Sequence, residues 1–169
     1  MTESNTKGAR AGRYLTTSER VLGRGMAFTR LFDADMKSVY AAWTQPEIFE
    51  RWWVPKSMGA VLESCAMDVR TGGKYRLAFQ GVAMVFHGKY LEVMPQARLV
   101  WTNEESGEPG PITTVTFDAA DGGTRVVLQE LHPSEAAFAA AGGGEGAAEM
   151  MSETFDQLAD WLARNRATR

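Results

Sequence analysis

The hydrophobic patterning of the chain predicts an α+β fold: a curved antiparallel sheet of about six or seven strands wrapped around a long C-terminal helix, with two short helices after the first strand. Three observations carry this expectation. Residues 59–131 alternate apolar and polar positions with a period of two, in runs separated by turns rich in Gly, Pro and Asp. Residues 147–165 instead place Met151, Phe155, Leu158 and Leu162 on one helical stripe, with Met150, Thr154 and Trp161 beside it. Between the first strand and the sheet, residues 33–53 hold two short helical patterns separated by Pro46. A sheet with one apolar face must be covered, and the terminal helix is the element long enough to do it.

Each element has its own local reason. Residues 1–25 are polar and without a sustained period, so they are expected to form a mobile arm, with one strand-like piece near RYLTT, and residues 26–169 to form a single domain. MAFTRLF, residues 26–32, is rich in aromatic and β-compatible side chains and reads as the first strand. In DADMKSVYAAWT, Met36, Val39, Tyr40 and Trp43 fall at i, i+3, i+4 and i+7, and Asp33 or Asp35 can cap the helix. Pro46 suits the first turn of PEIFERWW, where a missing N–H costs nothing, and Pro55 ends it. GAVLESCAMDV and KYRLAF flank RTGG as a hairpin, and VAMVFHGKYLEV pairs with RLVWTNEE. ESGEPGP is a loop, and TTVTFDA and TRVVLQEL flank ADGG as a further hairpin. Gly142 to Gly146 interrupt the helical C-terminal region, where successive glycines make a continuous helix costly.

Composition excludes several classes of function. The formal charge of −3 supplies no footprint for a polyanion, so nucleic acid is not an expected partner. The single cysteine, Cys65, has no internal disulfide partner, and two histidines do not form a cluster at metal-ligand spacing. No metal and no cofactor are expected. No apolar run is long enough to span a bilayer, and the N-terminal residues lack an apolar leader segment, so a soluble cytoplasmic protein without membrane insertion is expected. No serine-nucleophile elbow, phosphate-binding loop, dinucleotide fingerprint or zinc-protease motif is present in the sequence.

Five stretches, VYAAWTQPEIFERWW, VRTGGKY, HGKYLEVMPQARLVWT, TTVTFDAADGGTRVVL and FDQLADWLA, occur in an order that resembles the START-like (SRPBCC) helix-grip superfamily, which includes Bet v 1-like proteins. The similarity is to its branch named after the activator of the heat-shock protein 90 ATPase. The resemblance implies a single curved sheet gripping the last helix, with an internal hydrophobic cavity. It leaves function open, because relatives variously bind lipids or hormones, act in polyketide cyclisation or stimulate the chaperone. Two departures stand out: VRTGG lacks a proline that often precedes the glycines, and GEGAAEMM lacks a tryptophan at the start of the grip helix.

If the sheet curves in this way, Trp43, Trp52, Trp53, Tyr75, Phe79, Phe86 and Trp101 converge on one void. Leu77, Phe117 and Leu128 from the strands and Phe155 and Leu158 from the last helix complete the expected wall, with Met84, Met150 and Met151 as adaptable fillers. Most of this surface must be core, but buried indole N–H and phenol groups need partners, which suits a mostly apolar pocket with a few fixed polar groups. Glu130 continues the face of Val126 and Leu128 and is a candidate polar anchor, with Arg30 as a candidate partner; the bland alternative is a strand end in water. Glu63 is equally ambiguous, while alternation turns His87 away from Phe86 and Tyr90 toward solvent. The expected function is binding of a small hydrophobic molecule, with no assigned catalytic residue. The alternatives are a chaperone partner and a cyclase- or hydrolase-like enzyme using Glu130, Glu63 or His87. A homodimer through a sheet edge or the Trp-rich helix is compatible with either.

Overall fold

The computed structural model describes residues 14–166. Strands β1 (Thr17–Val21) and β2 (Gly25–Phe32) lead into helices α1 (Met36–Thr44) and α2 (Pro46–Trp52) and a 3₁₀ turn at Lys56–Met58. Strands β3 (Leu62–Met67), β4 (Lys74–Phe79), β5 (Val85–Met94), β6 (Arg98–Thr102), β7 (Ile112–Ala120) and β8 (Gly123–Leu131) follow, then helices α3 (Glu135–Ala140) and α4 (Ala147–Asn165). All eight strands pair antiparallel in one sheet of order β1-β2-β8-β7-β6-β5-β4-β3. This is the expected helix-grip architecture.

The local choices are those that the residues dictate. The Asp35 carboxylate accepts the Ser38 backbone N–H at 2.6 Å and caps α1. Pro46 opens α2 immediately behind Gln45, so the two helices meet at a sharp corner. The corner is sealed by Trp52, whose indole N–H donates to the Ala42 carbonyl at 3.0 Å. Register shifts at Leu62/Ser64 on β3 and at Tyr90/Glu92 on β5 mark bulges, which bend strands and help the sheet curl. Gly88 is required where β5 and β6 approach, because a Cβ there would lie 2.0 Å from the Thr102 carbonyl oxygen.

Helix α4 fills the concave side of the sheet. Its buried Phe155, Leu158 and Leu162 pack with Phe28, Phe32, Leu99, Val115 and Val126 from the strands. Polar side chains of α4 hold the chain that leaves α2: Gln157 donates to the carbonyls of Trp52 and Val54 at 2.8 and 2.9 Å, and Glu153 accepts from the Ser57 backbone N–H at 2.9 Å. Arg30 of β2 is buried and pairs with Asp156 of α4. Four glycines with positive φ, Gly142, Gly143, Gly144 and Gly146, carry the chain from α3 to α4.

Several expectations are corrected. Residues 17–21, counted in the mobile arm, are strand β1, hydrogen-bonded along β2 from Thr17↔Thr29 to Val21↔Gly25. This strand raises the count from seven to eight; its exposed, polar face gave no alternation to read. The rest of the arm, residues 1–13, lies outside the described residues. Helix α2 ends at Trp52, ahead of Pro55. Arg30 does not partner Glu130: their partners across the β2–β8 ladder are Val126 and Met26 respectively, four residues apart. At about 3.3 Å per residue that separation is roughly 13 Å.

Candidate functional site

Between the concave sheet, the α1–α2 corner and the first turns of α4 lies a cavity of about 260 Å³. Strand alternation builds most of it. Tyr75, Leu77 and Phe79 of β4, Phe86 and Tyr90 of β5, Trp101 of β6 and Leu128 of β8 all point inward. Trp43 and Phe49 from the helical corner and Trp53 just beyond it close one side, and Met150, Met151 and Thr154 of α4 close another. Met58 and Met150 are each about half exposed and mark the mouth, between the 3₁₀ turn and the start of α4.

Of the residues expected in the wall, Trp43, Trp53, Tyr75, Leu77, Phe79, Phe86, Trp101, Leu128, Glu130, Met150 and Met151 line this cavity. Trp52, Phe117, Phe155 and Leu158 do not; they are core residues behind it, where they support Trp43 or α4. Met84 is also outside, exposed in the β4–β5 connection. Sequence reasoning missed Val54, Pro55, Met58, Met67, Tyr90, Asn103, Thr113 and Thr154, while Phe49 and Glu105 lie in the EIFERWW helix and ESGEPGP loop that the sequence places at the entrance. Tyr90 could have been found, since it shares the inward face of Phe86. The polar residues carried no such signal. His87 lies on the opposite face of the sheet and Glu63 sits exposed at the β3 bulge, so neither lines the cavity.

The aromatic wall is continuous. Trp43 is 1% exposed and sits at the centre, its ring 4.7 Å from Trp52, 5.7 Å from Trp53 and 6.3 Å from Trp101. Edge contacts of this kind suit the ring quadrupoles. Its indole Nε1 is buried and has no hydrogen-bond partner among the described residues. With less than 1 Å² accessible, that nitrogen faces packed atoms and not the void, so its unpaired donor is a cost of the packing around Trp43.

The polar groups collect at the other end. The Tyr75 hydroxyl donates to the Thr102 carbonyl at 2.7 Å, and the Asn103 amide donates to the Pro111 carbonyl at 3.1 Å and to Thr113 Oγ1 at 2.9 Å. Burial raises the pKa of Tyr75 and Tyr90 far enough that both stay neutral phenols. Glu130 lies across the β7–β8 ladder from Thr113, with Oε1 3.3 Å from His132 Nε2. Its side chain keeps 42% of its surface accessible and lines the cavity, with much of the carboxyl surrounded by protein. Desolvation by the surrounding protein therefore raises its pKa, against the opposing pull of His132.

Other reactive groups do not join the site. Burial first, and then the charges of Glu50 and Glu47, push the Cys65 thiol up to about 11, so it is a poor nucleophile near neutrality. Among the described residues no cluster of His, Cys, Asp or Glu is placed to hold a metal ion, and no helix is long and apolar enough to cross a membrane.

Comparison with known proteins agrees with this geometry. The family model described as activator of Hsp90 ATPase homolog 1-like protein matches residues 33–163, well over half of the chain. A crystal structure of a Rhodobacter sphaeroides protein superposes with a TM-score of 0.79 at 20% identity, covering 88% of this chain and 98% of that one. One from Nitrosomonas europaea gives 0.74 at 22% identity, covering 88% and 99%. A solution structure from Staphylococcus epidermidis gives 0.69 at 27% identity, covering 88% and 94%. No curated protein matches the chain.

Proposed function

The chain belongs to the activator of Hsp90 ATPase homolog 1-like family, and on that premise we propose that it is a binding protein for a small, largely hydrophobic molecule held between α4 and the sheet. The observation that carries this reading is the cavity of about 260 Å³ whose wall is built mainly of aromatic side chains. A close-packed interior has few voids larger than a water molecule, so a void this size lined by costly aromatic surface calls for an occupant. Affinity comes mainly from apolar burial, at ~25 cal/mol per Å² before ordering costs. The mouth between Met58 and Met150 suits such a ligand, because methionine side chains adapt their shape without polar penalty. A cytoplasmic setting, where such a carrier would meet its ligand in solution, belongs to the same proposal.

The test is native mass spectrometry of the freshly purified protein, followed by titration with N-phenyl-1-naphthylamine, a neutral fluorescent probe. A co-purifying organic molecule, or one saturable probe site that it displaces, supports the proposal. Absence of both counts against it. The family description supports a second reading, stimulation of a heat-shock protein 90 type ATPase; no change in chaperone turnover on adding the protein would remove that reading.

A further inference from the structure

Resting on the cavity-binding reading, we infer that the ligand is a hydrophobic amine, with its ammonium group at the Glu130 end and its apolar body against the tryptophans. At the polar end, Tyr75 spends its hydroxyl proton on the Thr102 carbonyl, and Asn103 spends its amide protons on Pro111 and Thr113. What remains at the wall is two carboxylates, Glu130 with Oε2 unpaired and Glu105, beside the neutral Tyr90 hydroxyl; the Asn103 carbonyl oxygen already accepts from the Tyr75 hydroxyl at 3.3 Å. His132 reaches Oε1 of Glu130, whereas Oε2 makes no hydrogen bond among the described residues. A ligand group placed there must donate, and a cation does so best because a charge-assisted hydrogen bond is about twice as strong as a neutral one.

Two further features point the same way. Among the described residues no Lys, Arg or His lines the cavity, so its two carboxylates have no described cation inside the wall. The remaining wall is mostly indole, phenol and phenyl, whose faces are negative and attract organic cations. An anionic ligand is disfavoured, because it would meet Glu130 and Glu105 with only neutral hydroxyls such as that of Tyr90 to donate among the described lining residues.

The experiment uses three probes of one shape: 1-naphthylmethylamine, 1-ethylnaphthalene and 1-naphthoate, titrated into the full chain at pH 7 and followed by protein NMR. The amine is expected to bind at least about ten-fold tighter than the carboxylate, the scale of a hydrogen bond to a charged group. Glu130→Gln and Glu105→Gln should each shrink the ratio of amine to hydrocarbon affinity. Glu105 sits in the loop after β6, so its variant carries the test even if Glu130→Gln disturbs folding. Equal binding of the three probes, tightest binding of the carboxylate, or a ratio unmoved by either variant overturns the charge assignment and leaves the cavity reading standing. Binding of none of them removes both.

Discussion

Replacing Trp101 with alanine should weaken ligand binding and stability by separable amounts. Trp101 is 7% exposed, and its ring lies between 6.3 and 6.5 Å from those of Trp43, Trp53, Tyr75 and Tyr90. Truncating a packed tryptophan costs ~3–5 kcal/mol of stability. At 7% exposure a tryptophan of ~250 Å² leaves roughly 18 Å² to face a ligand, and ~25 cal/mol per Å² gives about 0.4 kcal/mol of binding. That corresponds to a loss of affinity of about two-fold. The control is Leu99→Ala, since Leu99 is fully buried but does not line the cavity and its truncation costs ~2–5 kcal/mol. Urea unfolding and N-phenyl-1-naphthylamine titration of both variants, below the unfolding transition, separate the two effects. If the two variants lose affinity equally, Trp101 acts through stability alone and its place in the binding wall is refuted.

Three other outcomes are expected. Glu130→Gln should gain stability relative to the parent as pH rises: burial raises the folded pKa, so below the unfolded value of ~4.3 both states hold the proton at no cost, and the cost of ionising a desolvated carboxyl is fully present above the folded pKa. A difference in Tm that stays constant between pH 4 and pH 8 would contradict this. Cys65 should react with iodoacetamide at pH 8 roughly a hundred-fold more slowly in the folded chain than in urea, as a thiol moved from 9.0 to about 11 requires; equal rates would sink the assignment. Gly88→Ala should destabilise by ~1–3 kcal/mol or more, read by thermal melting, because the new Cβ meets the Thr102 carbonyl and not a flexible side chain.

The order of elements was legible because each stretch carries one period and its own punctuation. Asp35, Pro46 and the Gly72–Gly73 turn each fix a boundary by local chemistry, so β2 through α4 were placed within a few residues. Strand β1 was not legible, since all but one of its five residues are exposed and its pairing depends on β2, not on a hydrophobic face. The apolar half of the site followed from alternation, which put Tyr75, Leu77, Phe79 and Phe86 on one side of the sheet. Depth did not follow. Phe155 and Leu158 sit on the correct helical stripe, but whether a stripe residue touches a void or a neighbour depends on how far the sheet curls. The polar end was hidden for a similar reason: Asn103 and Thr113 look like ordinary strand-end residues until the β6–β7 pairing brings them beside Tyr75.

The most direct test is to follow the five tryptophan indole N–H resonances during titration with N-phenyl-1-naphthylamine. Trp43, Trp53 and Trp101 line the cavity, Trp52 is tied to Ala42 behind it, and Trp161 lies farther along α4. A bound guest should shift the first three saturably at one equivalent and leave Trp161 still. No saturable shift, or shifts confined to Trp161, would contradict the binding of a small molecule inside the grip.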